Sequence, residues 1–435
     1  MRDFLDGFVS FLGDRRLLVG YFVFCSFLML WQHSMGWAWD FSVYSLNAEY
    51  LFHDGVYMEW KRPPLLSSIL GVLQYVFSVR GAEYVFIVLN SVLFFFASLR
   101  FSEGFDLDAL YFYVFVMSPF VVFYSVLQGT ELLFLSFVVL MVSDLDSPLS
   151  GFWLGLAFLS RYTAALYALL FIFQKDLWKM VKSGLLTGLT VLPWLAASYL
   201  FLGHPFASVA DSYALDVVER GLVTPFKWSD VLLMTGFTLP FALNYFKEKS
   251  FVFSDFLMGA VSVLVTLRQF GTQVKVRRYL FDLSLPAAFF AAKGLNSFDN
   301  PKKLLYIVMA LSVVGSSFLM VAASDLDSPG VYEDAASEVG ECKSVSNKWP
   351  MLSYAGTPTG PLETQFNSTE DYIESGYKVV VFENNSYTVR GSGCIRESFD
   401  STYLDRLGSV YGARVCGYLP VYNCGLEDAL RGVLK

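Results

Sequence analysis

Eleven apolar runs dominate the chain, at 17–32, 84–99, 109–127, 131–143, 149–160, 162–174, 183–202, 230–246, 251–267, 279–295 and 303–323. A helix that spans a bilayer needs ~20 apolar residues, and about 17 suffice. Most of these runs reach that length. Those at 131–143, 149–160 and 162–174 are short, and suit tilted helices or helices that line a cavity. Of the 435 residues 55% are hydrophobic and 16% charged, a proportion that a polytopic membrane protein can bury and a soluble domain cannot. The expected fold class is therefore an all-α polytopic membrane protein of about eleven spans. The first run has no small-residue cleavage site after it and reads as a retained anchor.

The apolar stretch Pro63–Val79 decides the topology. It opens with Pro63-Pro64 and contains Ser67, Ser68 and Gln74. As a helix lying along the interface, it leaves Arg100, Lys175, Lys179, Lys182, Lys247, Lys249, Lys302 and Lys303 on the side of Arg15 and Arg16, as the positive-inside rule requires. The N-terminus is then cytoplasmic and the C-terminal tail external.

The tail has its own character. From Ser324 onward there are 16 acidic and 9 basic residues, so most of the net charge of −8 lies there. The rest is almost neutral, which argues against nucleic acid as a partner. Four of the five cysteines, Cys342, Cys394, Cys416 and Cys424, lie in the tail. Disulfides in an oxidising compartment follow, with Cys342–Cys394 plus Cys416–Cys424 as one of three pairings. Zinc is the weaker alternative, because no Cys-x-x-Cys spacing occurs. Two N-glycosylation sequons, Asn367-Ser368-Thr369 and Asn384-Asn385-Ser386, agree with an external tail. Tyr377–Phe382 and Val410–Tyr422 read as strands. The expected division is a membrane domain over 1–323, with a first external loop at 33–83, and a small α/β or β-rich extracytoplasmic domain over 324–435. An archaeal cell membrane fits best, or the ER membrane if the chain is eukaryotic.

The first external loop is polar and rich in aromatic residues, and it holds an isolated carboxylate, Asp40, among Trp37, Trp39, Phe41 and Tyr44. A carboxylate in such a setting can take a proton from an attacking hydroxyl. It can equally cap a helix that starts at Phe41. Glu131, after Gln128-Gly129-Thr130, is either a first-turn acid favoured by the helix dipole or a second functional carboxylate, one that orients an acceptor or a divalent cation. Arg62, before Pro63-Pro64, can clamp phosphate oxygens or snorkel at the interface. Arg161 lies between two short spans, where a charge needs a partner or a purpose. Arg268, Lys275, Arg277 and Arg278 form an external basic cluster that breaks the charge pattern, and anionic lipid phosphate is its natural ligand. The Asp-x-Asp pairs at 106–108, 144–146 and 325–327 read as solvated loops rather than metal sites. His33, His53 and His204 have no partner at ligand spacing. No P-loop, Gly-x-Ser-x-Gly or His-Glu-x-x-His motif occurs.

These motifs have a family order. An apolar span, an Asp loop, Tyr44 and Ala48, Gly55-x-Tyr57 and Arg62-Pro63-Pro64-Leu65 come first. Thr130-Glu131, Gly155-Leu156-Ala157-Phe158-Leu159-Ser160-Arg161, and Arg278-Tyr279-Leu280 with Leu285-Pro286 follow. The series resembles the GT-C superfamily of polyprenyl-phosphate-sugar-dependent glycosyltransferases, in its protein O-mannosyltransferase and aminoarabinose transferase branch. The likeness covers roughly the first 300 residues and is densest from Asp40 to Leu66. It implies Asp40 as catalytic base with Glu131 as a second catalytic carboxylate. It implies Arg62, Arg161 and Arg278 around the donor phosphate; Arg277 joins that site by its place beside Arg278, and Tyr44, Tyr57 and Asp54 are the candidates for supporting the loop or the acceptor. The substrates implied are a polyprenyl- or dolichyl-phosphate sugar, such as a mannose donor, and a hydroxyl on protein, lipid or glycan. No cofactor follows, beyond room for a divalent cation. Family members often carry Asp at the position of Glu131 and Lys at those of Arg62 and Arg161, so charge is kept while geometry changes. The Trp-Trp-Asp signature of oligosaccharyltransferases is absent. A multi-pass transporter or lipid flippase is the alternative, but its charges would sit at the bilayer midplane with internal repeats.

Overall fold

A computed structural model describes residues 2–53, 55, 57–127, 129–214, 227–248, 252–271, 277–322, 328–362, 369–383, 386–391 and 394. The first helix, α1 (Arg2–Met35), leads through Trp37 into α2 (Trp39–Phe52). Next come α3 (Leu65–Gln74), α4 (Val79–Gly104), α5 (Ala109–Val116), α6 (Pro119–Tyr124), α7 (Glu131–Ser143) and α8 (Leu149–Ser160). A 3-10 helix, Tyr162–Phe173, precedes α9 (Leu177–Leu202), α10 (Ala207–Ala214), α11 (Trp228–Thr235), α12 (Thr238–Glu248) and α13 (Phe253–Gly271). A second 3-10 helix, Arg277–Leu283, runs into α14 (Ser284–Leu295), and α15 (Pro301–Ala322) closes the bundle.

Among the described residues four helices are long and apolar enough to cross a membrane: Asp14–Met35 within α1, α4, α9 and α15. At 1.5 Å per residue the 26 residues of α4 extend ~39 Å, more than the ~30 Å hydrocarbon core. The other expected spans are helical but shorter or interrupted. The 109–127 run breaks at Met117-Ser118, the 230–246 run breaks near Gly236, and the 279–295 run opens as a 3-10 helix. Helix length alone therefore does not reproduce eleven continuous spans. α7 is buried along almost its whole length, so it sits inside the bundle, where the bilayer no longer sets its length. Pro63–Val79 contains only the ten-residue α3, ~15 Å long and apolar on one face.

The C-terminal region is a small mixed unit: α16 (Pro329–Val339), β1 (Ser344–Ser346), α17 (Trp349–Tyr354), β2 (Thr359–Pro361), α18 (Thr369–Glu374), β3 (Lys378–Glu383) and β4 (Ser386–Arg390). The sheet order is β2-β1-β3-β4; β1 is parallel to both neighbours, and β3–β4 is an antiparallel hairpin pairing Val380 with Val389. The strand expected at Tyr377–Phe382 is β3. Cys342 and Cys394 form a disulfide, one of the expected pairings. Val410–Tyr422, Cys416, Cys424, Asn367, Asn384 and Asp325 lie outside the described residues.

This unit is joined to the start of α2. Trp37 enters its core beside Tyr332, Val380 and Phe382, and Trp349 packs with Val43, Leu46 and Tyr57. At the joint lies Glu83 of α4, 0% exposed. Its carboxylate accepts from Ser45 Oγ of α2 (2.5 Å), Tyr354 Oη of α17 (2.5 Å) and His33 Nε2 of α1 (2.9 Å). Arg80 lies over the rings of Trp37 and Tyr354, with its guanidinium carbon 4.1 and 4.8 Å from their centroids. A charge buried this deeply persists only when its lone pairs are met, and here three other elements supply the partners.

Candidate active site

Asp40 stands in the first turn of α2, where a carboxylate favours the helix dipole. It does not cap the helix: α2 starts at Trp39, and the preceding Ala38 makes no side-chain cap bond. Both of its oxygens are engaged elsewhere. Arg62 Nη2 lies 2.8 Å from Oδ1, and Arg278 Nη1 donates to Oδ2 at 2.7 Å. Arg278 comes from the 3-10 helix ahead of α14, 238 residues away. Burial pushes the Asp40 carboxyl up, but Arg62 and Arg278 outweigh it and hold the group well below the usual carboxylate range.

Arg62 has a second anchor, which the sequence reading did not single out. Glu59 Oε2 accepts from Arg62 Nε at 2.9 Å and lies 3.6 Å from Lys61 Nζ. The Glu59 backbone is fixed in turn by the Asn47 side-chain amide, which bonds both its N–H and its carbonyl. Burial raises the Glu59 pKa, while Lys61 and Arg62 more than reverse this. The only available signal was the spacing, an acid three residues before the arginine.

The second ion pair joins Arg161 Nη1 to Glu131 Oε1 at 2.8 Å. Gly129 sets it up. With φ of +90° and Leu66 and Phe41 close to where a Cβ would stand, only glycine fits this turn before α7. Arg161 is extended (φ −154°, ψ 121°) and separates α8 from the 3-10 helix, which lets its side chain reach across to α7. Glu131 is 1% exposed. Its Oε2 and the Thr163 hydroxyl are buried without a hydrogen-bond partner among the described residues.

The two ion-pair systems share one cavity of about 100 Å³, lined by Asp40, Tyr44, Arg62, Glu131, Arg161 and Arg278, with Lys61, Tyr162, Thr163 and Tyr279 among the remaining wall residues. Arg62 lies over the Tyr44 ring at 5.7 Å. Burial pushes the Tyr44 hydroxyl up to about 12, so it remains a proton donor. The structure thus gathers Asp40, Glu131, Arg62, Arg161, Arg278 and Tyr44. Tyr57 is not in the wall; it packs on Trp349, with ring centroids 4.8 Å apart. Asp54 and the side chain of Arg277 lie outside the described residues, as does Lys275.

Arg268 corrects the expected basic cluster. Asp282 binds it in bidentate fashion at 2.7 and 3.0 Å, buried beside Tyr167, so its charge is neutralised between α13 and the second 3-10 helix. Asp144 is likewise not a solvated loop residue; it accepts from Arg100 and from Trp153 Nε1 at 2.8 Å. No group of three or more His, Cys, Asp or Glu side chains among the described residues is arranged to hold a metal ion, and Glu131 meets a guanidinium instead.

No protein-family model and no curated protein matches the sequence. Solved structures do match the fold, two of them of one protein. These two are ArnT from Cupriavidus metallidurans bound to undecaprenyl phosphate and the same protein in the apo state, each with a TM-score of 0.67 and 10% sequence identity. The matches cover 85% and 86% of this chain and 93% of each ArnT chain. At that identity the likeness is one of fold: the chain shares the all-α, multi-helix architecture of ArnT and carries a small C-terminal β-containing region.

Proposed function

We propose that this membrane protein is an inverting GT-C-type glycosyltransferase. It moves a single sugar, a hexose with mannose as first candidate, from a polyprenyl- or dolichyl-phosphate donor to a hydroxyl on a protein, lipid or glycan. The observation that carries the reading is the convergence of Arg62, Arg161 and Arg278, from three separate segments, on one cavity that also holds two carboxylates. Guanidinium groups suit phosphate oxygens, and undecaprenyl phosphate is the ligand of the ArnT structure.

Asp40 takes the proton of the acceptor hydroxyl as its oxygen attacks the anomeric carbon. The bond from that carbon to the phosphate oxygen breaks on the opposite face, which inverts the configuration. The electron pair leaves on the phosphate, where the guanidiniums meet the developing charge. Glu131 keeps one oxygen available to orient the acceptor. Tyr44 and Tyr279 line the site beside them. The cavity lies on the external face, with the N-terminus cytoplasmic and the C-terminal domain external. Incubating membranes that contain the protein with labelled polyprenyl-phosphate sugars tests the reading. Labelled glycoside should form with the native chain and not with Asp40→Asn. Transfer from nucleotide sugars alone, or none from any polyprenyl donor, refutes it.

A further inference from the structure

Asp40 cannot act as a base while it stands as described. Both oxygens are occupied by guanidinium groups, and a carboxylate held so low takes protons poorly. The cavity is also small: about 100 Å³, against the ~300–1,000 Å³ usual for small-molecule sites. The ion pairs that cross it must part before a sugar phosphate can enter.

We propose that Asp40 and the substrate phosphate share Arg62 and Arg278 in turn, so that the donor itself releases the catalytic base. The proposal rests on the glycosyltransferase reading and concerns the order of events at that site. In the resting state Asp40 fills the place of the phosphate. When the donor's phosphodiester arrives, with one negative charge, it draws the two guanidiniums partly off Asp40. The carboxylate regains basicity next to the acceptor hydroxyl. During transfer the acceptor proton moves to Asp40 and the electron pair of the breaking C–O bond moves to the phosphate. Asp40 becomes neutral as the phosphate gains its second charge. The guanidiniums are thus released by one group at the moment the other needs them, and the net charge of the cavity does not change. When product leaves, Asp40 gives its proton to solvent and closes on both arginines again.

Glu59 makes the exchange possible as a positioning residue. It holds Arg62 through Nε, at 2.9 Å, while Asp40 holds Nη2. Arg62 can release Asp40 and remain aimed into the cavity, because Glu59 is fixed by Asn47. Glu131 holds Arg161 alone, so releasing it frees one guanidinium of the phosphate site where releasing Asp40 frees two. That difference supplies a control within the same cavity.

The test measures binding of farnesyl monophosphate, with farnesol as the uncharged control, to detergent-solubilised full-length chain. Native protein, Asp40→Asn and Glu131→Gln are compared. Each variant removes one negative charge, but only the first frees Arg62 and Arg278. Asp40→Asn should bind farnesyl monophosphate at least about tenfold more tightly than native protein while losing transfer, Glu131→Gln should gain at most about threefold, and farnesol should not distinguish them. If Asp40→Asn does not fold, Asp40→Ser should give the same gain. Equal gains in both variants would reduce the effect to general electrostatics and overturn the proposal, as would unchanged or weaker binding to the Asp40 variants. If no form prefers the phosphate over farnesol, the reading of the site itself fails, which is a separate outcome.

Discussion

Replacing Tyr354 with phenylalanine removes one hydroxyl from a carboxylate that solvent cannot reach. Glu83 accepts from Tyr354 Oη at 2.5 Å, and the same Oε1 accepts from Ser45 on α2. A hydrogen bond to a charged group contributes about 1.5–3 kcal/mol, so Tyr354→Phe should cost about 2 kcal/mol in docking of the C-terminal unit. Glu83→Gln keeps an acceptor but removes the charge from bonds to three partners, and should cost more. The pair must be non-additive, because the second substitution acts on a bond the first has already lost. A double-mutant cycle should give a coupling of about 1–2 kcal/mol, within the usual range for groups in direct contact. Urea titration followed by tryptophan fluorescence suits the measurement. Trp37 and Trp349 lie in the joint, Trp37 stacked with Tyr332 and Trp349 edge-on to Trp39 and Tyr57. Additivity within about 0.3 kcal/mol would refute the idea that Glu83 joins α2 to the C-terminal unit.

Three further outcomes follow from the same contacts. Arg161→Met leaves Glu131 buried and unpaired and should destabilise the fold by about 3–5 kcal/mol, most of which Glu131→Gln in the same chain should restore on thermal unfolding. Asp40 is held below the ~3.9 of an unfolded aspartate, so its ion pairs stabilise fully above that value and lose their contribution as pH falls through the lower folded value. Thermal stability of native protein should therefore decline more steeply below about pH 4 than that of Asp40→Asn. Reducing Cys342–Cys394 opens a loop with a sequence separation of 52, and chain-entropy arithmetic puts the loss at about 4 kcal/mol for the C-terminal unit, measurable as faster proteolysis of β3 and β4 in reductant.

Some of this was legible in the sequence because local chemistry announces itself. Apolar runs fixed the helices, and Pro63-Pro64 with its polar residues marked α3 as something other than a span. A charge between two short apolar runs pointed to Arg161, and its place before Pro63-Pro64 at the end of the polar loop pointed to Arg62. What pairs with what was not legible. Asp40 and Arg278 are 238 residues apart, and nothing in the sequence separates Arg278 from Arg268, which Asp282 neutralises. Asp40 satisfied the rule for a helix cap, yet α2 begins at Trp39, two residues before Phe41, and leaves the carboxylate to the arginines. Glu83 gave no sign, since its partners lie on three other elements. Helix continuity was overestimated, because hydropathy does not register the breaks at Ser118 and Gly236 or the 3-10 geometry near Arg161 and Arg278.

The most direct measurement is transfer by purified protein in liposomes supplied with an anomerically defined, labelled polyprenyl-phosphate mannose and a panel of hydroxyl acceptors. The account predicts a glycoside of inverted anomeric configuration, with the rate reduced by about 10²–10⁴ in Asp40→Asn. Retained configuration, or full activity in Asp40→Asn, would contradict it.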